Sequence, residues 1–141
     1  MNKKLAGILI IPPIILATVV ILYGGLLTEN YLNVTPQESV HMRLVINYQG
    51  FAPNEEYNLS LSPEKQTMYD AMVLAGLDME TTGSGVFRFV EAINGIRNNQ
   101  DGNNRWWQFW VNGELAPVGV GSYRVHEGEN IEWRYTHPQI N

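Results

Sequence analysis

The sequence predicts an α+β domain that follows a single membrane-spanning helix. Three patterns support this prediction: an uncharged run over Leu5–Leu27, alternation of apolar and polar residues from Val40 onward, and apolar residues at helical spacing after Thr67. Five or six strands and one helix within about 105 residues indicate an antiparallel or mixed sheet with the helix on one face.

Composition narrows the class of protein. The chain has 141 residues, with 9 Lys+Arg against 14 Asp+Glu and no cysteine. This length fits one domain, and the acidic balance argues against a nucleic-acid binder that neutralises phosphates. Without cysteine there is no disulfide scaffold, thiolate zinc site or thiol nucleophile.

The uncharged run is long enough to cross a bilayer. Its 23 residues would form a helix of about 35 Å, against a hydrocarbon core of about 30 Å. Lys3 and Lys4 precede it, so the positive-inside rule places residues 1–4 in the cytoplasm. We therefore expect a single-pass protein of the cell membrane with an anchor at 5–27, a tether at 28–38 and an outer domain at 39–141.

Two other interpretations of the run stay open at this point. A cleaved signal peptide has an apolar region of roughly 7–15 residues that ends in small residues, and Tyr23 stands before the small pair Gly24-Gly25. A buried helix of a soluble protein is the other alternative. If the domain lies outside, Asn33 and Asn58 are possible glycosylation sites, since Asn33-Val34-Thr35 and Asn58-Leu59-Ser60 fit the acceptor pattern.

Alternation and turn signals predict the strands. Apolar residues at every second position from Val40 to Tyr48 indicate a half-buried strand. The Asn94-Gly95 and Asn112-Gly113 pairs are typical of tight hairpin turns. Further strands are predicted over Tyr57–Leu61, Val86–Ile93, Arg105–Val111, Tyr123–His126 and Ile131–Thr136.

One helix is predicted between the second and third of these strands. Either Ser62-Pro63 begins it, or Thr67 caps it, because Thr67 and Asp70 have the spacing of a capping box. Met68, Ala71 and Met72 then recur at helical spacing, which indicates a buried face. Gly76 is the expected C-terminal cap.

No motif of a known catalytic mechanism is present. The three histidines lack zinc-site spacing, and there is no nucleophile elbow, phosphate-binding loop or dinucleotide fingerprint. Glu127, Glu129 and Glu132 are the one candidate group of paired carboxylates. The asparagine-rich segment Ile96–Asn104 offers oxygen ligands for calcium, but its spacing is not that of a calcium loop. We therefore predict no enzyme, no metal site and no cofactor.

The aromatic strand carries the strongest functional signal. Alternation places Trp107, Phe109 and Val111 on one face of the sheet. The opposite face would collect Trp106, Gln108 and Trp110 beside Arg124, Glu132 and Arg134. Exposed tryptophan and arginine dominate binding hot spots, so this face is a candidate recognition surface. The alternative is that loops or the tether cover these tryptophans.

Four sequence blocks occur in an order that resembles a known domain. They are Thr67-Met68-Tyr69-Asp70-Ala71-Met72, Ala92-Ile93-Asn94-Gly95, Trp106-Trp107-Gln108-Phe109-Trp110-Val111-Asn112-Gly113 and Tyr123-Arg124-Val125-His126-Glu127-Gly128-Glu129-Asn130-Ile131-Glu132-Trp133. The set resembles the C-terminal domain of transcobalamin and intrinsic factor, in particular its stand-alone prokaryotic relatives. The resemblance covers roughly residues 40–136.

The resemblance implies a small β-grasp-like sheet with one packed helix and no catalytic activity. In the vitamin carriers this domain covers one side of cobalamin. Carried over by position, Phe87, Trp107, Gln108 and the loop Glu114–Val120 would lie nearest such a ligand. Carriers close the vitamin against a large helical barrel, for which 141 residues leave no room, so a corrinoid site would need a partner chain.

These inferences combine into one functional hypothesis. We expect a non-enzymatic, membrane-anchored binding module outside the cytoplasm that contacts another protein of the cell envelope or serves as an accessory subunit of a membrane complex. The alternative is surface capture of cobalamin or another small ligand. The candidate binding residues are Phe87, Trp106, Trp107, Gln108, Trp110, Arg124 and Arg134.

Overall fold

The computed structural model describes residues 38–139, which fold into two small sheets and one helix. The predicted anchor and the Asn33 acceptor lie outside the described residues, as does the tether apart from its last residue. Within the described part, no helix is long and apolar enough to cross a membrane.

The larger sheet has five strands and is mixed. Its spatial order is β2-β1-β8-β6-β7, with bounds of Val40–Asn47 for β1, Glu55–Leu61 for β2, Trp106–Val111 for β6, Glu114–Leu115 for β7 and Glu129–Thr136 for β8. The central pair, β1 and β8, is parallel, and the remaining pairs are antiparallel. Of the two predicted alternatives, an antiparallel or a mixed sheet, the structure has the mixed one, and the α+β class is confirmed; the prediction of a single sheet is wrong, because three strands form a second sheet. The finer β-grasp-like description stays a prediction.

The smaller sheet has three strands in the order β3-β4-β5. They are Met79–Thr82, Phe89–Ile93 and Ile96–Arg97. The β4–β5 turn is the predicted Asn94-Gly95 hairpin, and both residues have positive φ, 48° and 79°. The Asn112-Gly113 turn between β6 and β7 is formed in the same way, with φ of 49° and 89°. The hairpin predicted at Asn112-Gly113 and the turn predicted at Asn94-Gly95 are confirmed, although the residues after the Asn94-Gly95 turn pair as β5 where a loop was expected.

β1 shows the alternation that predicted it. Met42, Leu44, Ile46 and Tyr48 are all buried, whereas His41 and Arg43 are exposed. On the same side of the sheet, β6 and β8 contribute Trp107, Phe109, Ile131, Trp133 and Tyr135 to one hydrophobic core. We call this side the core face and the opposite side the outer face.

The helix α1 spans Met68–Leu74 and packs on the core face. The Thr67 hydroxyl accepts a hydrogen bond from the Asp70 backbone N–H at 3.1 Å, and the Asp70 carboxylate accepts one from the Thr67 N–H at 3.0 Å. This is the predicted capping box. Met68, Ala71 and Met72 are completely buried. The chain leaves the helix at Gly76, whose φ of +73° suits glycine.

Two strand predictions are wrong, and three short strands, β3, β5 and β7, were missed. The strand predicted over Val86–Ile93 begins at Phe89, because Gly85–Phe87 forms a turn of 3₁₀ helix. Tyr123–His126 forms no strand; Arg124 makes only an isolated bridge to Thr67. The short β3 alternates between half-buried and exposed residues, so its four residues carry no apolar run that the sequence pattern could detect.

Replacing Thr67 by alanine tests the start of the helix. Thr67→Ala removes the side-chain acceptor of the capping box, so we expect a loss of about 1 kcal/mol in the free energy of unfolding. Urea denaturation of the full-length chain measures this loss. Ser62→Ala is the matched control, because Ser62 is exposed and precedes the alternative helix start. An equal loss in both variants would contradict the assignment of Thr67 as the cap.

Candidate functional site

The outer face brings together most of the residues predicted there. In the β6–β8 register, Gln108 stands opposite Arg134 and Trp110 stands opposite Glu132. Side chains of directly opposed residues on one face lie within contact distance. The predicted neighbourhood of Trp106, Gln108, Trp110, Glu132 and Arg134 is therefore formed.

Trp110, however, is covered by the chain itself. The Arg134 guanidinium carbon lies 4.4 Å from the centre of the Trp110 ring, and Trp110 is only 7% exposed. Glu132 fixes this arginine by accepting a hydrogen bond from its Nη2 at 2.5 Å. The side-chain amide of Asn47 donates to the other carboxylate oxygen at 2.8 Å. The indole therefore contributes to packing here.

The rest of the outer face is also engaged within the chain. The Gln108 side chain donates to the Gln139 carbonyl and accepts from the Gln139 N–H, at 3.0 and 2.8 Å. Trp106 is half-buried and donates its indole N–H to the Asn104 side chain at 3.3 Å. Among the described residues, the side chains of the outer face are mostly engaged by other parts of the chain. This agrees better with the alternative that the tryptophans are covered than with an open recognition surface.

Arg124 does not lie beside these tryptophans, which corrects the predicted arrangement. Its guanidinium donates to the Gln66 side chain at 2.5 Å, and its backbone bridges to Thr67 at the start of α1. The cause is the misplaced strand at Tyr123–His126. This segment crosses the helix N-terminus and does not join the sheet.

A second site lies on the core face, where β6 and β8 meet the smaller sheet. An apolar pocket of about 170 Å³ opens there. Its floor is made of Trp107, Phe109 and Trp133, and its walls are Phe89 and Val90 together with Leu115, Ala116, Gly119 and Val120. Two of the regions that the resemblance implied to lie nearest a ligand, Trp107-Gln108 and the loop after Glu114, meet at this pocket.

The floor of the apolar pocket is rigid. The Phe109 and Trp133 rings pack 5.0 Å apart, and Trp107 packs against Tyr135 at 5.2 Å between ring centres. The Trp107 indole donates to the Ile96 carbonyl at 2.8 Å. By contrast, the Trp133 indole N–H is the one buried side-chain polar atom within residues 38–139 that has no hydrogen-bond partner.

Four exposed apolar side chains belong to the pocket lining or to chain segments that continue into it. We call them the apolar rim: Phe87 is 85% exposed and Val86 59%, with Phe89 and Val118 both at 46%. Phe89 also lines the pocket, and Val118 precedes the lining residue Gly119. Large exposed apolar side chains in segments that lead into a pocket make a candidate interaction site.

Close backbone approaches hold the turn that carries Phe87. A Cβ at Gly121 would lie 1.9 Å from the Gly85 carbonyl oxygen, and one at Gly83 would lie 2.4 Å from that of Phe87. Only glycine fits at either position. The Ser122 hydroxyl adds a hydrogen bond to the Val86 carbonyl at 3.0 Å. Two of the four rim residues, Val86 and Phe87, are therefore displayed on a fixed turn.

The pocket lacks the groups that acid–base chemistry requires. Arg88 is the one charged residue that lines it, and its guanidinium stacks on Tyr69 at 3.8 Å from the ring centre. Catalysis by proton transfer needs a titratable group within reach of substrate. The arrangement is suited to binding an apolar group.

The side chains of the asparagine-rich loop hydrogen-bond to nearby backbone groups. The side-chain oxygens of Asn98, Asn99 and Asn103 accept hydrogen bonds from the backbone N–H groups of Trp107, Asn104 and Arg105, at 2.7, 2.8 and 3.0 Å respectively. These oxygens stabilise the left-handed turns of the loop. Over the described range, no group of three or more histidine, aspartate or glutamate side chains is placed to hold a metal.

Comparison with known proteins gives the family. A family model described as "Domain of unknown function (DUF4430)" matches residues 66–137, just over half of the 141-residue chain. The chain belongs to the DUF4430 family. The region that defines the family here runs from the residue before the helix cap to the residue after β8, so it contains both the pocket and the rim. No curated protein matches the chain.

Two solved structures share the fold. A candidate metal-binding protein from Ruminococcus gnavus ATCC 29149 superposes with a TM-score of 0.56 at 13% identity, over 71% of this chain and 99% of that one. Haptocorrin in complex with Cbi superposes with a TM-score of 0.56 at 22% identity, over 76% of this chain and 27% of the haptocorrin chain. The DUF4430 domain therefore has a transcobalamin-like fold, as the sequence resemblance implied.

Sequence reasoning singled out Phe87 but missed its neighbours in the rim. Val86 and Phe89 were assigned to one continuous strand, which would have buried half of its side chains. The segment Gly83-Ser84-Gly85 before them was the available signal, because closely spaced glycines mark irregular backbone. Trp133 is buried in the core, but its place in the pocket floor depends on the loop after β7.

The ion pair on the outer face makes stability depend on pH. The Arg134 guanidinium lowers the pKa of the Glu132 carboxyl; burial opposes this effect and the hydrogen bond from Asn47 adds to it. A lowered folded-state pKa stabilises the fold above the unfolded value of about 4.3, and this contribution is lost as the pH falls through the folded-state pKa. We expect Glu132→Gln to weaken the acid dependence of the free energy of unfolding, measured by urea titrations from neutral pH downward.

The matched control for this prediction is Glu114→Gln in the exposed position at the start of β7. It should retain the acid dependence of the wild-type chain. If the free energy of unfolding depends on pH in the same way in the wild type and in Glu132→Gln, the Glu132–Arg134 pair contributes nothing to folding stability.

Proposed function

We propose that this DUF4430 domain is a non-enzymatic binding module that takes one apolar side chain of a partner protein into the apolar pocket. The observation that carries the proposal is the combination of a preformed pocket with an exposed rim that is partly held on a rigid turn. Binding energy in protein interfaces is concentrated in a few anchors that fill such pockets. The surrounding rim then excludes water from the contact.

The size of the pocket supports a single ring or branched aliphatic group. Its volume of about 170 Å³ is close to that of an engineered cavity of about 150 Å³ that binds benzene. Sites that enclose a whole small molecule are typically about 300–1,000 Å³. A phenyl-sized anchor therefore matches the pocket better than an entire cofactor does.

For the location of the module, we keep the sequence expectation as a proposal. We propose that the Leu5–Leu27 run anchors the chain in the cell membrane and that the domain faces outward. In support, the residues after the run carry seven basic and fourteen acidic side chains, a balance that disfavours adhesion to an anionic membrane surface. The partner would then be another envelope or membrane protein.

Filling the pocket tests the proposal. Ala116→Leu adds three carbon atoms to the pocket wall, so we expect it to weaken the binding of fluorobenzene to the full-length chain at least tenfold. Fluorine NMR line broadening measures the binding. Ala52→Leu is the matched control, since Ala52 is half-buried away from the pocket. No fluorobenzene binding by the wild-type chain, or the same loss in both variants, would refute the proposal.

Corrinoid capture is a second candidate function. The likeness to haptocorrin, whose structure is a complex with Cbi, favours it. A pocket of this size could hold only an edge of such a ligand, with the rim against its face and the remaining surface left to a partner chain. Arg88 at the pocket margin would supply a polar contact.

A titration separates the two candidates. Trp107 and Trp133 form the pocket floor, so a corrinoid bound there should quench tryptophan fluorescence and shift the absorption spectrum of the ligand. The leading proposal expects neither change when the full-length chain is titrated with cobalamin to high micromolar concentration. A saturable quench that Ala116→Leu abolishes would replace the leading proposal with corrinoid binding.

A further inference from the structure

We infer that the apolar pocket receives Phe87 of a second copy of this chain, so that two domains associate face to face through their rims. The inference rests on the proposed function, because it identifies the occupant of the same pocket. Phe87 supplies a phenyl ring, the group that best matches the volume of about 170 Å³.

The positions of Phe87 and the pocket along the chain are compatible with a two-fold dimer. In such an interface the same patch is used by both partners, so a protruding group and its receptor must lie on one face. Phe87 is directly followed by Arg88 and Phe89, which line the pocket. The ring is 85% exposed and therefore does not fill the pocket of its own chain.

The protruding group is held in position before association. The Phe87 N–H donates to the Ser84 carbonyl at 3.1 Å and the Arg88 N–H to that of Gly85 at 3.2 Å, and Gly83 and Gly121 admit the close backbone contacts of this turn. A fixed turn loses little conformational freedom on binding, which favours association. Within residues 38–139, packing does not require a phenylalanine at this exposed position, since the turn has no buried residue.

The area available indicates a weak dimer. With about 200 Å² per phenylalanine side chain, Phe87 and Phe89 expose about 260 Å² in one copy. The valines of the rim add to this, yet the total stays below the roughly 800 Å² per partner of a standard interface. We therefore expect a concentration-dependent equilibrium.

The net charge of the chain predicts how salt should affect the association. The chain has a net charge of −5, so two copies repel each other while the contact itself is apolar. Screening of this repulsion by salt should strengthen the association. An interface held by ion pairs would respond in the opposite direction.

Cysteine cross-linking tests the inference, since the natural chain contains no cysteine. Full-length chains with Val86→Cys and with Glu114→Cys, each carrying a different tag, are mixed and oxidised mildly. Because Val86 adjoins the protruding ring and Glu114 adjoins the pocket wall, the mixed disulfide should form, and more of it at higher salt. Adding Phe87→Asp to both chains should reduce its yield at least fivefold.

Val73→Asp is the matched control, because Val73 is also half-exposed, at 53%, but lies on the helix beside Leu61 and Lys65. It should leave the yield unchanged. A yield that is indifferent to Phe87→Asp, in a chain that binds fluorobenzene, overturns self-association and leaves the pocket for another partner. If fluorobenzene does not bind at all, the proposed function fails, and this inference fails with it.

Discussion

Burial of one row of aromatic rings is the constraint on which the rest of this domain depends. Trp107 and Phe109 on β6 face Tyr135 and Trp133 on β8 in register, and all four are at least 95% buried. A shift of one residue in either strand would turn its rings to the outer face. The row therefore fixes the pairing of β6 with β8, and the helix, with Met68 and Met72, packs in the same core.

The same row explains why a pocket exists at all. One helix of seven residues covers only part of a five-stranded sheet, and the loop after β7 and the start of β4 must cover the remainder. They leave a gap over Phe109 and Trp133, where one indole N–H also remains unpaired. Closing this gap with a larger side chain at Ala116 would bury more apolar surface, so the open pocket is a departure from the best packing that the fold permits. Departures of this kind are expected at functional sites.

Local signals predicted the elements that depend on nearby residues. The capping box at Thr67, the two Asn-Gly turns and the alternation of β1 each act within a few positions, and each is formed as predicted. The failures share a different cause. The 3₁₀ turn at Gly85–Phe87 depends on Gly121, more than thirty residues away, whose backbone touches Gly85. Tyr123–His126 leaves the sheet because Gln66 binds it through both backbone and side chain. Such long-range contacts leave no periodic trace in the sequence.

Predictions about the site also succeeded where local pattern decides and failed where long-range contacts decide. Alternation correctly placed Trp110 on the outer face, but alternation says nothing about what covers a face. Arg134 lies on the neighbouring strand and Glu132 holds it over the indole, so a tryptophan and an arginine that looked like a hot spot are instead stabilised by each other. Phe87 has no such neighbour within its own fixed turn. Groups that reach an aromatic side chain from other strands decide whether it packs within the domain or is left to bind a partner. For this domain, that criterion favours the rim over the outer face as the binding surface.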